Sequence, residues 1–156
     1  MYKRQLLIIA KDVEGEALAT LVLNVASRVV KAAAIKAPGF GDEQGELLED
    51  IATLTGAAVL AKDKSADIKS QGPTSLGGAE KVIIGKNKTT FVGGEGNKDL
   101  ITERTEMLRS QEKLSKSKWD KEKMQKRIGK MTGGVAVLRI GAATETEMKE
   151  LSLIHI

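Results

Sequence analysis

LLIIAKDVEGEALATLVLNVASRVVKAAAIKAPGFGDEQGELLEDIATLTGAAVLA, from Leu6 to Ala61, alternates short apolar runs with longer helical periodicities. Leu6 to Ala10 is a continuous apolar run of strand length. Asp12 then offers a helix cap, and Val13, Ala17, Leu18, Leu21, Val22, Val25, Ala26 and Val29 recur at helical spacing. Ala32 to Ala37 reads as a second strand, broken by Pro38-Gly39. Asp42 offers a second cap, with Leu47, Leu48, Ile51 and Leu54 as an apolar stripe, and Gly56 stands where a left-handed residue usually ends a helix. Ala57 to Ala61 reads as a third strand. Strand and helix in alternation predict an α/β layer with parallel neighbours.

Beyond this stretch the pattern changes. Ser65 to Ala79 is small and polar, and reads as a loop or a poorly formed edge. Lys81–Ile84 and Thr89–Val92 predict a β-hairpin around Gly85-Lys86-Asn87-Lys88, ended by Gly93, Gly94 and Gly96. From Lys98 onward two helical periodicities, divided by Ser115-Lys116-Ser117, predict an antiparallel helical hairpin that stops at Gly133-Gly134. Val135 to Ile140 reads as a last strand, and Thr144 to Glu150 as the start of a charged helix.

Composition narrows the chemistry. The 156 residues include no cysteine and one histidine, His155, so thiolate chemistry is excluded and the commonest general base is missing from the body of the chain. No apolar run approaches the roughly 18 residues of a membrane span, and no charged-then-apolar leader is visible. Gly39-Phe40-Gly41 fails as a dinucleotide fingerprint because its third glycine would fall on Gln44. Gly85-Lys86 fails as a phosphate loop because Asn87 follows and Glu80 stands where the loop needs glycine. The carboxylates of Asp12, Glu14 and Glu16, and of Glu46, Glu49 and Asp50, sit where helix starts and exposed faces ordinarily carry acids.

Net charge is +4, and the excess gathers between Lys113 and Lys130, where eight basic residues face only Asp120 and Glu122. A solvated helix face is the ordinary reading of such a stripe, and a phosphate-binding face the sharper one. The other unusual feature is apolar breadth. Leu18, Leu21 and Val22 lie together on the first helix beside Val25, and Leu47 and Leu48 are adjacent on the second. Both stripes exceed the roughly 100° that packing on a sheet requires. Either all of these side chains are core, or some form an apolar surface. In the second case each forgoes roughly 1.5–3 kcal/mol of burial, which points to binding.

At these residues a resemblance enters. LLIIAKDVEGEALATLVLN (Leu6–Asn24), KAPGFGD (Lys36–Asp42), DIATLTG (Asp50–Gly56), SKWDKEKMQKRIGKMTGG (Ser117–Gly134) and GGVAVLRIGAATETEMKE (Gly133–Glu150) closely resemble the GroEL-type (group I, sixty-kilodalton) chaperonins. The match runs from about Leu6 to Glu150, with Trp119 where the family usually has Tyr. It implies an apical-domain-like layered α/β sheet with flanking helices over 6–133, its N-terminal part missing. The helical hairpin follows, and then one strand of the intermediate domain within 134–150. The family's apical helices line a groove for non-native polypeptides and for the co-chaperonin of the GroES type. That role falls on Leu18, Leu21, Leu47 and Leu48, and more weakly on Val22, Val25 and Ile51. Gly133 and Gly134 coincide with the hinge on which the apical domain swings. ATP and magnesium are implied for the parent, a double seven-membered ring, with no cofactor, metal or catalytic residue in this segment. A bacterial cytoplasm is implied, or a mitochondrial or plastid matrix, with neither nucleic acid nor membrane as partner. Glu43-Gln44-Gly45 departs from the basic residues usual after GFGD, and Gln71-Gly72-Pro73-Thr74 is also atypical.

Residues 1–5 and 151–156 read differently. Leu151–Ile156 back-translates to the transposon end used in sequencing adapters, and the reverse complement of that element gives Met1–Gln5. Both ends are expected to be translated adapter. A coding sequence whose terminal nucleotides differ from that element would overturn this expectation. The rival readings are a nucleic-acid-binding module using the basic helix 113–130 and a nucleotide-binding α/β enzyme domain.

Overall fold

The computed structural model describes residues 5–60, 72–86 and 88–139. The described residues form a mixed α/β structure with four α-helices and two small sheets. In chain order the elements are β1 (Leu6–Ala10), α1 (Gly15–Ala26), β2 (Ala32–Lys36), α2 (Asp42–Thr55), β3 (Ala79–Ile84), β4 (Lys88–Gly94), α3 (Lys98–Leu114), α4 (Lys118–Thr132) and β5 (Val135–Arg139). β1 and β2 pair in parallel, Leu6 opposite Ala32 and Ala10 opposite Lys36. β3, β4 and β5 form a separate antiparallel sheet with β4 in the centre.

Most expected elements are present, with three corrections. The strand expected at Ala57 to Ala61 does not form over Ala57–Leu60. The Ala57 amide bonds back to the Ala52 carbonyl at the end of α2, and the Ala58 amide reaches the Ser75 carbonyl in a single 3-10 turn at Pro73–Ser75. Those amides are committed to a cap and a turn, so no ladder can start there. Second, Asp12 does not cap α1. Its carboxylate accepts from the Val13 amide at 2.9 Å and lies 3.9 Å from Lys36 Nζ, and Glu14 occupies the cap position. Third, Gly41 rather than Asp42 is the cap residue of α2, which leaves Asp42 in the first turn, where an acid favours the helix dipole. The left-handed end of α2 falls on Gly56, φ 77°, as expected. Residues 65–71 of the expected loop, the charged helix at 144–150 and the segments 1–4 and 151–156 lie outside the described residues.

The core lies between the two sheets and α2. Ile35 from β2, Ile51 from α2, Phe91 from β4 and Ala136 from β5 are buried together, with Leu7, Ile9, Leu54, Val82 and Ile84 packed around them. Single-face burial explains the alternation in β4, where Thr89 and Phe91 point inward between less buried neighbours. α3 and α4 pack along their lengths as the expected hairpin, with Leu108 and Met131 buried. Asn97 and Ser117 cap these two helices, accepting from the Asp99 and Asp120 amides.

The end of α2 shows why glycines cluster in this chain. A helix leaves its last carbonyls without partners inside the helix. Here the Gly96 amide donates to the Leu54 carbonyl at 2.9 Å and the Gly78 amide to that of Thr55 at 2.8 Å. Side chains at Gly94 or Gly96 would run into the Leu54 and Thr53 carbonyls, so the approach requires bare backbone. The 93–96 segment thus docks β4 onto α2 as well as ending the hairpin.

Across the expected boundary at 133/134 the packing is continuous. β5 pairs with β4 from Val135 opposite Val92 to Arg139 opposite Lys88, Ala136 enters the core, and β5 packs on α4.

Candidate binding surface

α1 reads GEALATLVLNVA and buries none of its residues. It packs extensively on no other element. Leu18, Leu21, Asn24 and Val25 are half-buried along one side of it, and after it comes a turn in which the Ser27, Arg28, Val29 and Val30 amides return to carbonyls of Leu23, Val25 and Asn24. Arg28, φ 59°, takes the left-handed turn. The helix ends at Ala26, so Val29 lies beyond it.

The nominated side chains divide by burial. Leu18, Leu21 and Val25 on α1, and Leu47 and Leu48 on α2, are half-buried. Val22 is exposed at 44%. Ile51 is a correction: it is 6% exposed and belongs to the core, where it packs with Ile35 of β2, Phe91 of β4 and Ala136 of β5. Leu47 is partly spoken for as well. It packs over Gly39, where a Cβ would stand 2.9 Å from Leu47 Cδ1, and with Ile51, Leu54 and Met131 it lines a pocket of about 20 Å³. Gly39 has φ 78°, which favours glycine there, and a Cβ would also make Leu47 shift.

The most exposed apolar side chain on α1 was not nominated. Leu23 is 66% exposed. Its signal was in the run Leu21-Val22-Leu23: three consecutive residues span about 200° of a helix, more than one packed face can cover. The surface therefore centres on Val22 and Leu23, flanked by half-buried Leu18, Leu21 and Val25.

Two of the eight basic residues of the stripe, Lys123 and Arg127, are spent on α2, while Lys113, Lys116, Lys118 and Lys126 stay exposed as a solvated face would have them. Arg127 is buried on α4, its Nε 2.7 Å from Asp50 Oδ2 and its Nη1 2.8 Å from Glu46 Oε2. Arg104 on α3 reaches the same Asp50 at 2.5 Å and Glu49 at 3.2 Å, and donates to the Glu46 carbonyl. Burial works to lower the pKa of the Arg127 guanidinium, but the hydrogen bonds and charges of Asp50 and Glu46 outweigh it and hold the group above its ordinary value. Lys123 pairs with Glu43 at 3.1 Å and lies 3.6 Å above the Trp119 ring. The acids that looked like a solvated face of α2 and part of the basic stripe of α4 thus form one clamp. The atypical Glu43-Gln44 belongs to it: Glu43 holds Lys123, and Gln44 Nε2 donates to the Ala37 carbonyl at 3.2 Å.

Gly133 and Gly134 form the exposed turn between α4 and β5, with Gly134 at φ 71°. Gly85-Lys86 lies between β3 and β4, not between a strand and a helix as a phosphate loop would. Among the described residues no group of three His, Cys, Asp or Glu side chains is placed to hold a metal ion, and no helix is long and apolar enough to cross a membrane. No protein-family model matches the chain.

Proposed function

We propose that the chain is a piece of a GroEL-type chaperonin subunit, covering most of an apical domain, and that its work is to hold non-native polypeptides. The observation that supports this reading is α1, an apolar helix with no buried residue. Exposure of Val22 and Leu23 forgoes about 1.5–3 kcal/mol for each side chain fully withheld from burial, a cost that a binding surface explains. Contacts through Leu and Val are undirected, which suits a surface that takes many unfolded segments of unrelated sequence. The same surface would take the mobile segment of a GroES-type co-chaperonin in competition with clients. A swing about Gly134 would strip β5 from β4 and pull Ala136 from the core, so the hinge that the resemblance implies there is not part of this reading. ATP and magnesium, the double seven-membered ring and a bacterial cytoplasm, or an organellar matrix, belong to the proposed parent. The described residues offer neither a phosphate loop nor a metal cluster, so no nucleotide step is assigned to them. A nucleic-acid interface on the basic segment 113–130, which is not one helix but the end of α3, a turn and most of α4, is the weaker reading, because Arg127 and Lys123 are engaged by α2.

The test is suppression of aggregation of a chemically denatured client by the chain. Leu18→Glu and Leu23→Glu should each weaken suppression several-fold while leaving the circular dichroism spectrum and melting temperature near those of the parent. Equal suppression by both variants would show that α1 does not receive clients. Leu47→Ser should lower stability as well as capture, since Leu47 packs on Gly39.

A further inference from the structure

The α3–α4 hairpin ends in a tip that its own packing does not explain. Antiparallel helices ordinarily turn their apolar residues inward, and Leu108 and Met131 are buried here. At the Ser115-Lys116-Ser117 turn, Leu114 is 82% exposed, the largest exposure among the described large apolar side chains, and Trp119 is 63% exposed. Lys113, Lys116 and Lys118, their neighbours in sequence, are all exposed. From Lys113 to Lys121 the chain carries four lysines against Asp120 alone, a local charge of +3. The neighbouring Glu112 is half-buried and accepts from Gln125 Nε2 at 2.6 Å. Trp119 is also held in place: Lys123 lies over its ring and is itself tied to Glu43 of α2.

We propose that this tip docks on the surface of an anionic lipid bilayer, with Leu114 and Trp119 entering the headgroup–acyl boundary and the lysines meeting lipid phosphates. Indole rings favour that boundary, having an apolar body and a polar N–H, and lysine stems extend along it while their ammonium groups stay in water. Cationic charge beside apolar side chains is the complement of such a surface. A single-stranded nucleic acid fits less well. Lys123 already covers one face of Trp119, and aliphatic Leu114 has no stacking partner to offer a base. The inference does not rest on the chaperone reading and revises the expectation that no membrane is a partner, since surface docking requires no spanning helix.

Trp119 is the sole tryptophan of the chain, so its emission reports the tip directly. The full chain is titrated with phosphatidylcholine vesicles, with vesicles also containing phosphatidylglycerol, and with a single-stranded oligonucleotide. The proposal expects a blue shift and quenching by bromine-labelled lipid with the anionic vesicles alone, reversed by high salt. Replacing Lys116 and Lys118 by Gln should weaken partitioning by roughly twenty-fivefold, about fivefold for each lysine. Leu114→Ser should weaken it several-fold, and Leu23→Ser on α1 should leave it unchanged. All four side chains are exposed, and circular dichroism checks that the fold is retained. No shift with anionic vesicles overturns the proposal, as does binding that survives the Lys116, Lys118 and Leu114 changes but is lost with Leu23→Ser. A shift with the oligonucleotide but not with vesicles also overturns it, in favour of a nucleic-acid site.

Discussion

Thr89 sits at the centre of the antiparallel sheet, fully buried, and its hydroxyl has no hydrogen-bond partner among the described residues. A buried hydroxyl without a partner costs about 1–3 kcal/mol, while its isosteric methyl costs nothing of the kind. Thr89→Val should therefore raise stability by about 1 kcal/mol, read as a higher urea midpoint at unchanged slope. Asp12 gives the opposite lesson about a polar group. Its carboxyl is held below its ordinary pKa, first by a hydrogen bond with Glu14, against desolvation, and further by the Val13 amide and the charge of Lys36. A carboxyl whose folded pKa is lowered contributes stability above its unfolded value, and loses it as pH falls through the folded one. The stability difference between the parent and Asp12→Asn should be present near neutral pH and vanish once the medium is more acidic than both pKa values. Denaturant titrations across that acid range check it.

The helices are joined by charge as much as by apolar contact. Asp50 on α2 is the shared acceptor of Arg104 from α3 and Arg127 from α4, and both Asp50 and Arg127 are buried. Removing one member of a buried pair leaves the other uncompensated, at a cost of about 3–5 kcal/mol. Arg127→Met should fall at the low end, near 3 kcal/mol, because Arg104 still faces Asp50. Asp50→Asn in the same chain should add to that loss, because it takes from Arg104 its nearest acid, and a double-mutant cycle measured by thermal unfolding tests both statements. This joint was illegible in the sequence. Asp50 and Arg127 lie 77 positions apart, and each matched a local pattern, an acid in a helix and a base in a charge run, that explained it without the other. The elements themselves were legible where periodicity was strong, as in the β3–β4 hairpin and in α3 and α4. The strand expected after Gly56 failed for a different reason. Four apolar residues in a row specify burial or extension, but not whether a neighbour offers a free edge. On the candidate surface, spacing shows α1 as broadly apolar, while the choice of residues within it comes from the resemblance and leaves out Leu23. Ile51 was drawn into the surface by its stripe, although the stripe itself must turn some residues toward the sheets.

At the scale of the molecule, one core joins both sheets through α2, and β5 closes it from beyond Gly134. Every element but α1 belongs to a parallel or antiparallel pair or an extensively packed helix contact. That exception has a dynamic consequence. An isolated helix of about 12–15 residues or fewer is marginal in water, and α1 has 12 residues held only by half-burial of Leu18, Leu21, Asn24 and Val25. Its peptide hydrogens should therefore exchange with solvent far sooner than those of α3 and α4, through local openings that leave the core intact. Native-state exchange followed by mass spectrometry would see this as early deuterium uptake confined to residues 15–26, and slow uptake there equal to that of α4 would contradict it. If the fast exchange is found, a segment settling on α1 must pay part of the ordering entropy of the helix itself. Affinity would then weaken on warming for lack of a formed helix, before any tertiary contact of the fold is lost.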